Sequence, residues 1–369
     1  MSTKDKKSPF KELPIYVYVL LSMLALGIAV FIIAIISPEF ADFWNRYPGA
    51  FLRAVLALIT NIIPLSLAEI ALILLPIAAA VIIILILRGK LDKIKSPLKF
   101  TVSILSVASL FISLFTLGFG VGYHTTSLDQ KLELKKEAVS KEELAAAASY
   151  LADMANREAK NVEFEHQSFS KMPYSFGDLC TKLNAAYDTL CNEYNFIQRL
   201  YSRAKPVMLS EPMSYTHITG IYTYFTGEAN VNVNFPDYTL PFTTAHEMAH
   251  QRGVAREDEA NFIAFLVCIR SDDPYIRYSG YLNLYEYVAS PLSAYRELYL
   301  PIASSLDENV KYEMAAYAKF FEKYRHSAVG KVSETINNGY LQSMGTAGTK
   351  SYGMVVDLAV AYLRNEISQ

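Results

Sequence analysis

Cysteine is scarce in this chain. Only Cys180, Cys191 and Cys268 are present, and no CxxC pair occurs. That argues against a disulfide framework and against a thiolate zinc site. Cys180 and Cys191 stand eleven positions apart on one helical pattern. At about 1.5 Å rise per residue they are too distant to bridge each other in a straight helix. An excess of one charge is missing as well, with 34 Lys and Arg against 36 Asp and Glu. The chain therefore carries no electrostatic footprint for nucleic acid. Gly339, Gly345, Gly348 and Gly353 lack the Lys-Ser/Thr that would make them a phosphate loop. There is no internal repeat and no long low-complexity linker. Charged residues make up only 19% of the chain against 52% hydrophobic. The apolar excess is concentrated in the first third.

Three apolar runs account for it, at 15–36, 70–87 and 100–121. A bilayer core takes about 20 apolar residues in a helix, so each run is long enough to cross. The first run is too long for the core of a signal peptide and lacks a small-x-small cleavage site after it. Lys4, Lys6, Lys7 and Lys11 precede the first run. Arg88, Lys90, Lys93, Lys95 and Lys99, against Asp92, lie between the second and third. The first connection holds only Arg46 and Arg53. By the positive-inside rule the N-terminus is cytoplasmic, and everything after about residue 122 lies outside. The expected protein is multi-pass in the plasma membrane, with the bilayer as one partner and an extracellular C-terminal domain. Its expected divisions are a cytoplasmic tail 1–14, a three-helix membrane region 15–121 and an extracytoplasmic domain 122–369.

Within the first connection, 38–64, Phe40, Phe43, Trp44 and Tyr47 recur at helical spacing. Phe51, Val55, Leu58 and Ile62 follow after a break at Pro48. Two short amphipathic helices are expected there, lying on the membrane or roofing the domain. Glu69 reads as the end of a Ser66-x-x-Glu69 capping box that starts the second membrane helix, in preference to a buried functional acid. Ser140-x-x-Glu143 is another such box, with Val139 and Leu144 as its hydrophobic staple. Helices are expected over 141–160 and 178–197, and through most of 275–323 and 353–365. Residues 220–235 alternate with period two, Val231, Val233 and Phe235 on one face and Asn230, Asn232 and Asn234 on the other. That pattern predicts a half-buried strand. The fold class is α+β, mostly helical.

The chemistry concentrates in TTAHEMAHQRGVAREDEANF, residues 243–262. His246 and His250 are four apart and project from one helix face, as two adjacent zinc ligands do. Glu247 sits where it can act as general base on a zinc-bound water. Gly253 caps the helix, and apolar spacing resumes in REDEANFIAFLVC. A short turn there makes an antiparallel helical hairpin in which positions summing to about 507 face each other. Glu257 then faces His250, and Asn261 faces His246. Ala260 and Ala264 let the helices approach, and Cys268 continues that stripe as a packed thiol. Glu259 points about 200° further round. The expected metal ligands are His246, His250 and Glu257, with Glu259 as the alternative third ligand. Asn261 is expected to orient a ligand imidazole. His217 could lean into the cleft but reads better as structural. His124, His166 and His326 have no partner at ligand spacing. Tyr340 and Tyr352 could donate to an oxyanion, although packing is the better reading for each.

Glu257-Asp258-Glu259-Ala260-Asn261 resembles the gluzincin pattern of Glu followed by x-x-Ala/Ser-Asp/Asn on a second helix. The resemblance implies a zincin-like domain with zinc on His246, His250 and Glu257, and Glu247 as base. Only six residues separate His250 from Glu257, far fewer than in typical gluzincins. HEMAHQRGVAR also resembles the HExxHxxGxxH of metzincins, with Arg256 in place of the third His. In zincins generally an edge strand beside the active helix pairs with an extended peptide, and residues 228–234 stand in that place. MSYTHITGIYTYFTGEANVN, the later KSYGMVV and the three membrane runs are together similar to a bacterial membrane family of unassigned function, over nearly the whole chain. The expected activity is hydrolysis of a peptide or protein substrate by a zinc metallopeptidase. Its rival is a zinc-stabilised binding or sensor module without turnover. An intramembrane protease is disfavoured, because HEMAH lies far from the apolar runs.

A reporter active only outside the cytoplasm, fused after Gln369, is expected to give signal. The motive is nine basic residues in the two inner segments against two in the first connection. Signal only from a cytoplasm-restricted reporter would reverse the topology.

Overall fold

Helices α1 (Ile15–Ile36), α2 (Pro38–Arg46), α3 (Pro48–Thr60), α4 (Leu67–Leu87) and α5 (Pro97–Gly118) make up the first third. Of these, α1, α4 and α5 are long and apolar enough to cross a membrane. The computed structural model describes residues 13–88, 97–135, 137–165 and 169–367. Lys4, Lys6, Lys7, Lys11, Lys90, Asp92, Lys93, Lys95 and His166 lie outside the described residues. α1 packs along α5. At their crossing a Cβ on Gly27 would come within 2.4 Å of Thr116 Oγ1. The hydroxyls of Ser106, Ser109, Ser113 and Thr116 donate to carbonyls three or four residues back in α5. These four hydroxyls are thereby paired within the helix, as a crossing of hydrocarbon would require. The first connection folds as two short helices that break at Tyr47–Pro48, as its spacing predicts.

α5 runs into a 3-10 turn, Gly120–His124, and so into the larger domain. There follow α6 (Leu128–Lys131), α7 (Lys141–Ala159), α8 (Phe176–Glu193), β1 (Lys205–Pro206), α9 (Ser210–Ser214), β2 (Gly220–Thr223) and β3 (Glu228–Val231). The rest is helical: α10 (Thr239–Gln251), α11 (Glu257–Ile269), α12 (Pro274–Leu292), α13 (Arg296–Ser305), α14 (Glu308–Arg325), α15 (Ala328–Ser343) and, after a 3-10 segment Gly348–Met354, α16 (Val355–Ile367). α7 packs on α12, α13 and α16, and α11 lies between α10 and α12. One continuous apolar core results. The box at Ser140 and Glu143 forms in full at the start of α7. α8 ends at Glu193, short of 197, because Tyr194 turns extended and lays its ring beside Phe196 on the core.

The stretch 220–235 is not one strand. It folds into the β2–β3 hairpin, turning at Gly227 (φ +69°), where the Thr226 and Gly227 N–H groups donate to the Thr223 carbonyl. The chain then leaves the sheet, because the Asn232 side chain accepts from the Asn234 N–H and bends the backbone. β3 is buried on both faces rather than half-buried. It is also the central strand, paired with β1 on one side and β2 on the other. Residues 230 and 231 therefore have no free edge, and the edge nearest the HEMAH helix belongs to β2.

Two clusters of polar contacts weld the first third of the chain to the rest. Arg53 of α3 is 1% exposed. Its guanidinium donates to Asn45 Oδ1, Asn45 O and Gly118 O, each at 2.8 Å, and to Gln198 Oε1 at 3.3 Å. Burial pulls its pKa down to about 10, which leaves it cationic. The second cluster surrounds the first turn of α4. Glu228 accepts from the Leu67 and Ala68 N–H groups at 3.1 and 3.0 Å and pairs with buried Lys205. A carboxylate at a helix N-terminus meets both the unpaired donors and the positive end of the dipole. The box expected at Ser66 and Glu69 is only half formed. Ser66 Oγ accepts from the Glu69 N–H, but the Glu69 carboxylate turns to the Met208 and Leu209 N–H groups at 2.9 and 2.7 Å.

Glu228→Gln is expected to lower stability by about 3–5 kcal/mol, because it strands a buried Lys205 charge. The double variant Lys205→Met/Glu228→Gln is expected to recover part of that loss. Thermal unfolding of the full chain in detergent reads both, and a double variant less stable than the single would refute the account.

Candidate metal centre and cleft

α10 presents His246, Glu247 and His250 to the interior side of β2, and α11 returns antiparallel across them. Gly253 makes the return possible. It has φ +91°, and a Cβ there would come within 2.4 Å of Arg53 Nη2. Its carbonyl accepts from Asn45 Nδ2 at 3.0 Å. The turn places Glu257 against both histidines. His246 Nε2 and His250 Nε2 are 3.0 Å apart, and Glu257 Oε2 lies 3.2 and 3.4 Å from them respectively. Two ligands about 2.0–2.1 Å from a tetrahedral zinc stand roughly 3.3 Å apart. The three atoms thus outline one face of such a tetrahedron. They form the only group of three or more potential ligands so placed among the described residues.

Their surroundings suit a cation. His250 Nδ1 donates to the Val254 carbonyl at 2.7 Å, which leaves Nε2 as its lone-pair nitrogen. Glu257 Oε2 is buried and has no hydrogen-bond partner. Burial raises the Glu257 carboxyl, but the two imidazoles outweigh it and hold the group well below the usual carboxylate range. For His250 burial works downwards, and the Glu257 charge overrides it and holds the imidazolium up to about 9. His246 is lowered, by burial and then by His250. Without a metal, a proton on His250 neutralises Glu257, and a divalent ion would take over that role.

Glu259 goes elsewhere. It accepts from the Leu128 N–H at 2.8 Å and pairs with Arg256 at 2.7 Å. Arg256, in the position of a metzincin's third histidine, donates to the carbonyls of Tyr123 and Thr125. Asn261 lies beside His246 and donates to the Tyr352 carbonyl at 3.4 Å.

Glu247 is buried, and burial pushes its carboxyl up to about 8. Oε2 has no partner, while the Tyr222 N–H of the edge strand contacts the carboxylate. Gly220 must be glycine for the same approach, since a Cβ would fall 2.5 Å from Glu247 Oε1. The Asn232 N–H to Thr219 O bond fixes the antiparallel alternation, so Gly220 and Tyr222 turn their backbone groups away from β3.

Two cavities meet at His246. One, of about 390 Å³, is lined by Phe235, Phe242, Asn283, Glu286 and Tyr317 among others. The second, of about 340 Å³, runs between Thr216–Gly220 and the Ser333, Glu334 and Asn337 face of α15, and includes Glu247. Thr219, Tyr287 and Tyr352 line both. Burial raises Tyr352, with the Glu257 charge adding to it, and its hydroxyl accepts from Asn337 at 3.3 Å. Tyr340 lines neither cavity and meets Tyr123 hydroxyl to hydroxyl at 3.1 Å. Tyr287, which the sequence did not single out, is pushed up to about 12, by burial and then by Glu257. No pattern in YLNLYEYVASP marks it among 26 tyrosines. His217 donates to the Tyr324 carbonyl at 2.7 Å, a structural tie at the cleft wall. Cys180 and Cys268 are buried free thiols, and Cys191 is free and half-buried.

No curated protein and no solved structure matches the chain. A family profile does, over residues 46–360 and so from α3 into α16, the candidate metal centre and its cleft included. The chain belongs to the family described as Protein of unknown function (DUF3810).

Proposed function

We propose that this protein is a membrane-anchored zinc metallopeptidase of gluzincin-like design, with its catalytic domain outside the cytoplasm. The observation that carries this is the placement of Glu247. A structural zinc site closes its fourth position and needs no base. Here three ligand atoms face one side, and a buried carboxylate with a free oxygen stands beside them. His246, His250 and Glu257 would hold the zinc. Bound there, zinc supplies Lewis acidity to a carbonyl and to water.

The chain's own groups supply the rest. Glu247, buried with one carboxylate oxygen free, is placed to take a proton from water and return it to a leaving amine. The outward-facing Gly220 backbone and Tyr222 carbonyl offer an extended peptide a strand edge to pair with. Tyr352 and Tyr287, kept protonated by burial, are donors at the junction of the two cavities. Glu257 is the third ligand in this reading, and Glu259 holds the 125–131 segment in place.

Purified full-length protein is expected to carry one zinc, lost in His246→Ala and in His250→Ala. Glu257→Gln should weaken zinc strongly, whereas Glu259→Gln should keep it. Asn261→Ala should lower zinc affinity by about 10–100-fold, the usual cost of losing a group that orients a ligand. Metal analysis of these variants checks the ligand set, and metal retention in Glu257→Gln with loss in Glu259→Gln would reverse the assignment. Glu247→Gln should keep zinc and lose about 10²–10⁴ in the rate of peptide cleavage. Cleavage at the wild-type rate would favour the binding module without turnover.

A further inference from the structure

The sheet has α10 on one face and the entry of α4 on the other. Glu228 reaches the first turn of α4, so its side of β3 faces away from α10. By register Thr223 opposes Glu228 and Ile221 opposes Asn230, so Ile221 shares that side. It is half exposed. Val207 pairs with the far end of β3, and the next two residues, Met208 and Leu209, are held by Glu69, in the first turn of α4. Both ends of β3 therefore meet the same turn of α4, and the strands run across the mouth of this helix rather than along its axis. Met208 and Leu209 are half exposed as well.

α15 lies beside β2. Gly330, near its start, abuts His217, which precedes β2. Tyr340, near its end, packs on Phe115 of α5, as does Tyr224 at the end of β2. Phe225, at the hairpin tip, reaches Phe111, one turn deeper in α5. On α15, Val329, Val332, Ile336 and Tyr340 follow spacings of three, four and four, which puts them on one face. The first three are 57%, 59% and 68% exposed. The face that Tyr340 sets against a membrane helix thus continues uncovered along the rest of α15, while Ser333, Glu334 and Asn337 turn to the cleft.

We propose that Val329, Val332 and Ile336, with Ile221, Met208 and Leu209, rest on the lipid of the leaflet that the ends of α4 and α5 enter. The occupant is lipid because the stripe runs through Tyr340 onto Phe115 of α5, a helix long and apolar enough to cross a membrane. A helix with an apolar stripe and a polar back settles at the boundary of headgroup and acyl chain. The cleft between β2 and α15 then opens at the membrane surface.

The test uses the full chain in lipid nanodiscs, with Cys191→Ser to remove the half-buried thiol. Nitroxides at Val332→Cys and Ile336→Cys are compared with one at Lys331→Cys, on the polar back of the same helix. Collision with oxygen, which concentrates in lipid, and with a water-soluble nickel chelate is measured at each. The expected result is several-fold higher oxygen than nickel access at 332 and 336, with the reverse at 331. Nickel access at all three positions overturns the proposal. So does protection from both reagents at 332 and 336, which would mean that protein covers the stripe. Neither result depends on zinc or on hydrolysis.

Discussion

Six residues lead from His250 to Glu257, and the chain has to reverse within them. A turn that short needs a left-handed residue, and Gly253 supplies it. The end of α10 closes on itself, the Arg252, Gly253 and Val254 N–H groups donating to the Met248, Ala249 and His250 carbonyls, and the turn beyond it is held from outside. The membrane region does the holding. Asn45 donates to the Gly253 carbonyl, Arg53 lies against the same residue, and Arg53 also gathers the end of α5. The ligand geometry of α10 and α11 is therefore set partly by side chains from α2 and α3.

The same economy governs the cleft. β2 is bonded to β3 on one edge, and its other edge faces Glu247 with no side chain at Gly220 to keep them apart. α15 closes the opposite wall, and the Tyr352 segment closes the end. Each wall is anchored to α5 through aromatic rings, Tyr224 and Tyr340 on Phe115 and Tyr222 on Phe119. Phe119 in turn stands edge-on to His250 at 5.8 Å. The path from the last membrane helix to the histidines is one ring long.

Much of this was legible in the sequence where the signal was local. Apolar runs of bilayer length, the box at Ser140 and the four-residue spacing of His246 and His250 each need only neighbouring residues to be read. The approach of Glu257 followed from one further step, the antiparallel return after a glycine. What failed depended on distant partners. Period-two alternation at 220–235 suggested one strand, but Asn232 and Asn234 are satisfied by Ser214, Ile218 and Tyr324, and the chain bends out of the sheet there. Glu69 looked like half of a local box, yet its carboxylate is used about 140 residues away. Residues 228–234 were expected to offer an edge, and β1, only two residues long, takes that edge from the far side. Tyr287 and Glu286 reach the cavity from a helix that carries no motif at all.

The carboxylate of Glu228 at the first turn of α4 also fixes an order of events during synthesis. Leu67 emerges 161 residues before the side chain that caps it. At roughly 5–20 residues per second that gap lasts on the order of 10–30 s. Throughout it the Leu67 and Ala68 N–H groups lack the carboxylate that caps them, and β3 does not yet exist. Capping by Glu228 is thus a late event that couples completion of the sheet to the seating of α4. A fragment beginning after α5 would lack Leu67 and Ala68, leaving Glu228 and Lys205 without the helix end they meet in the whole chain.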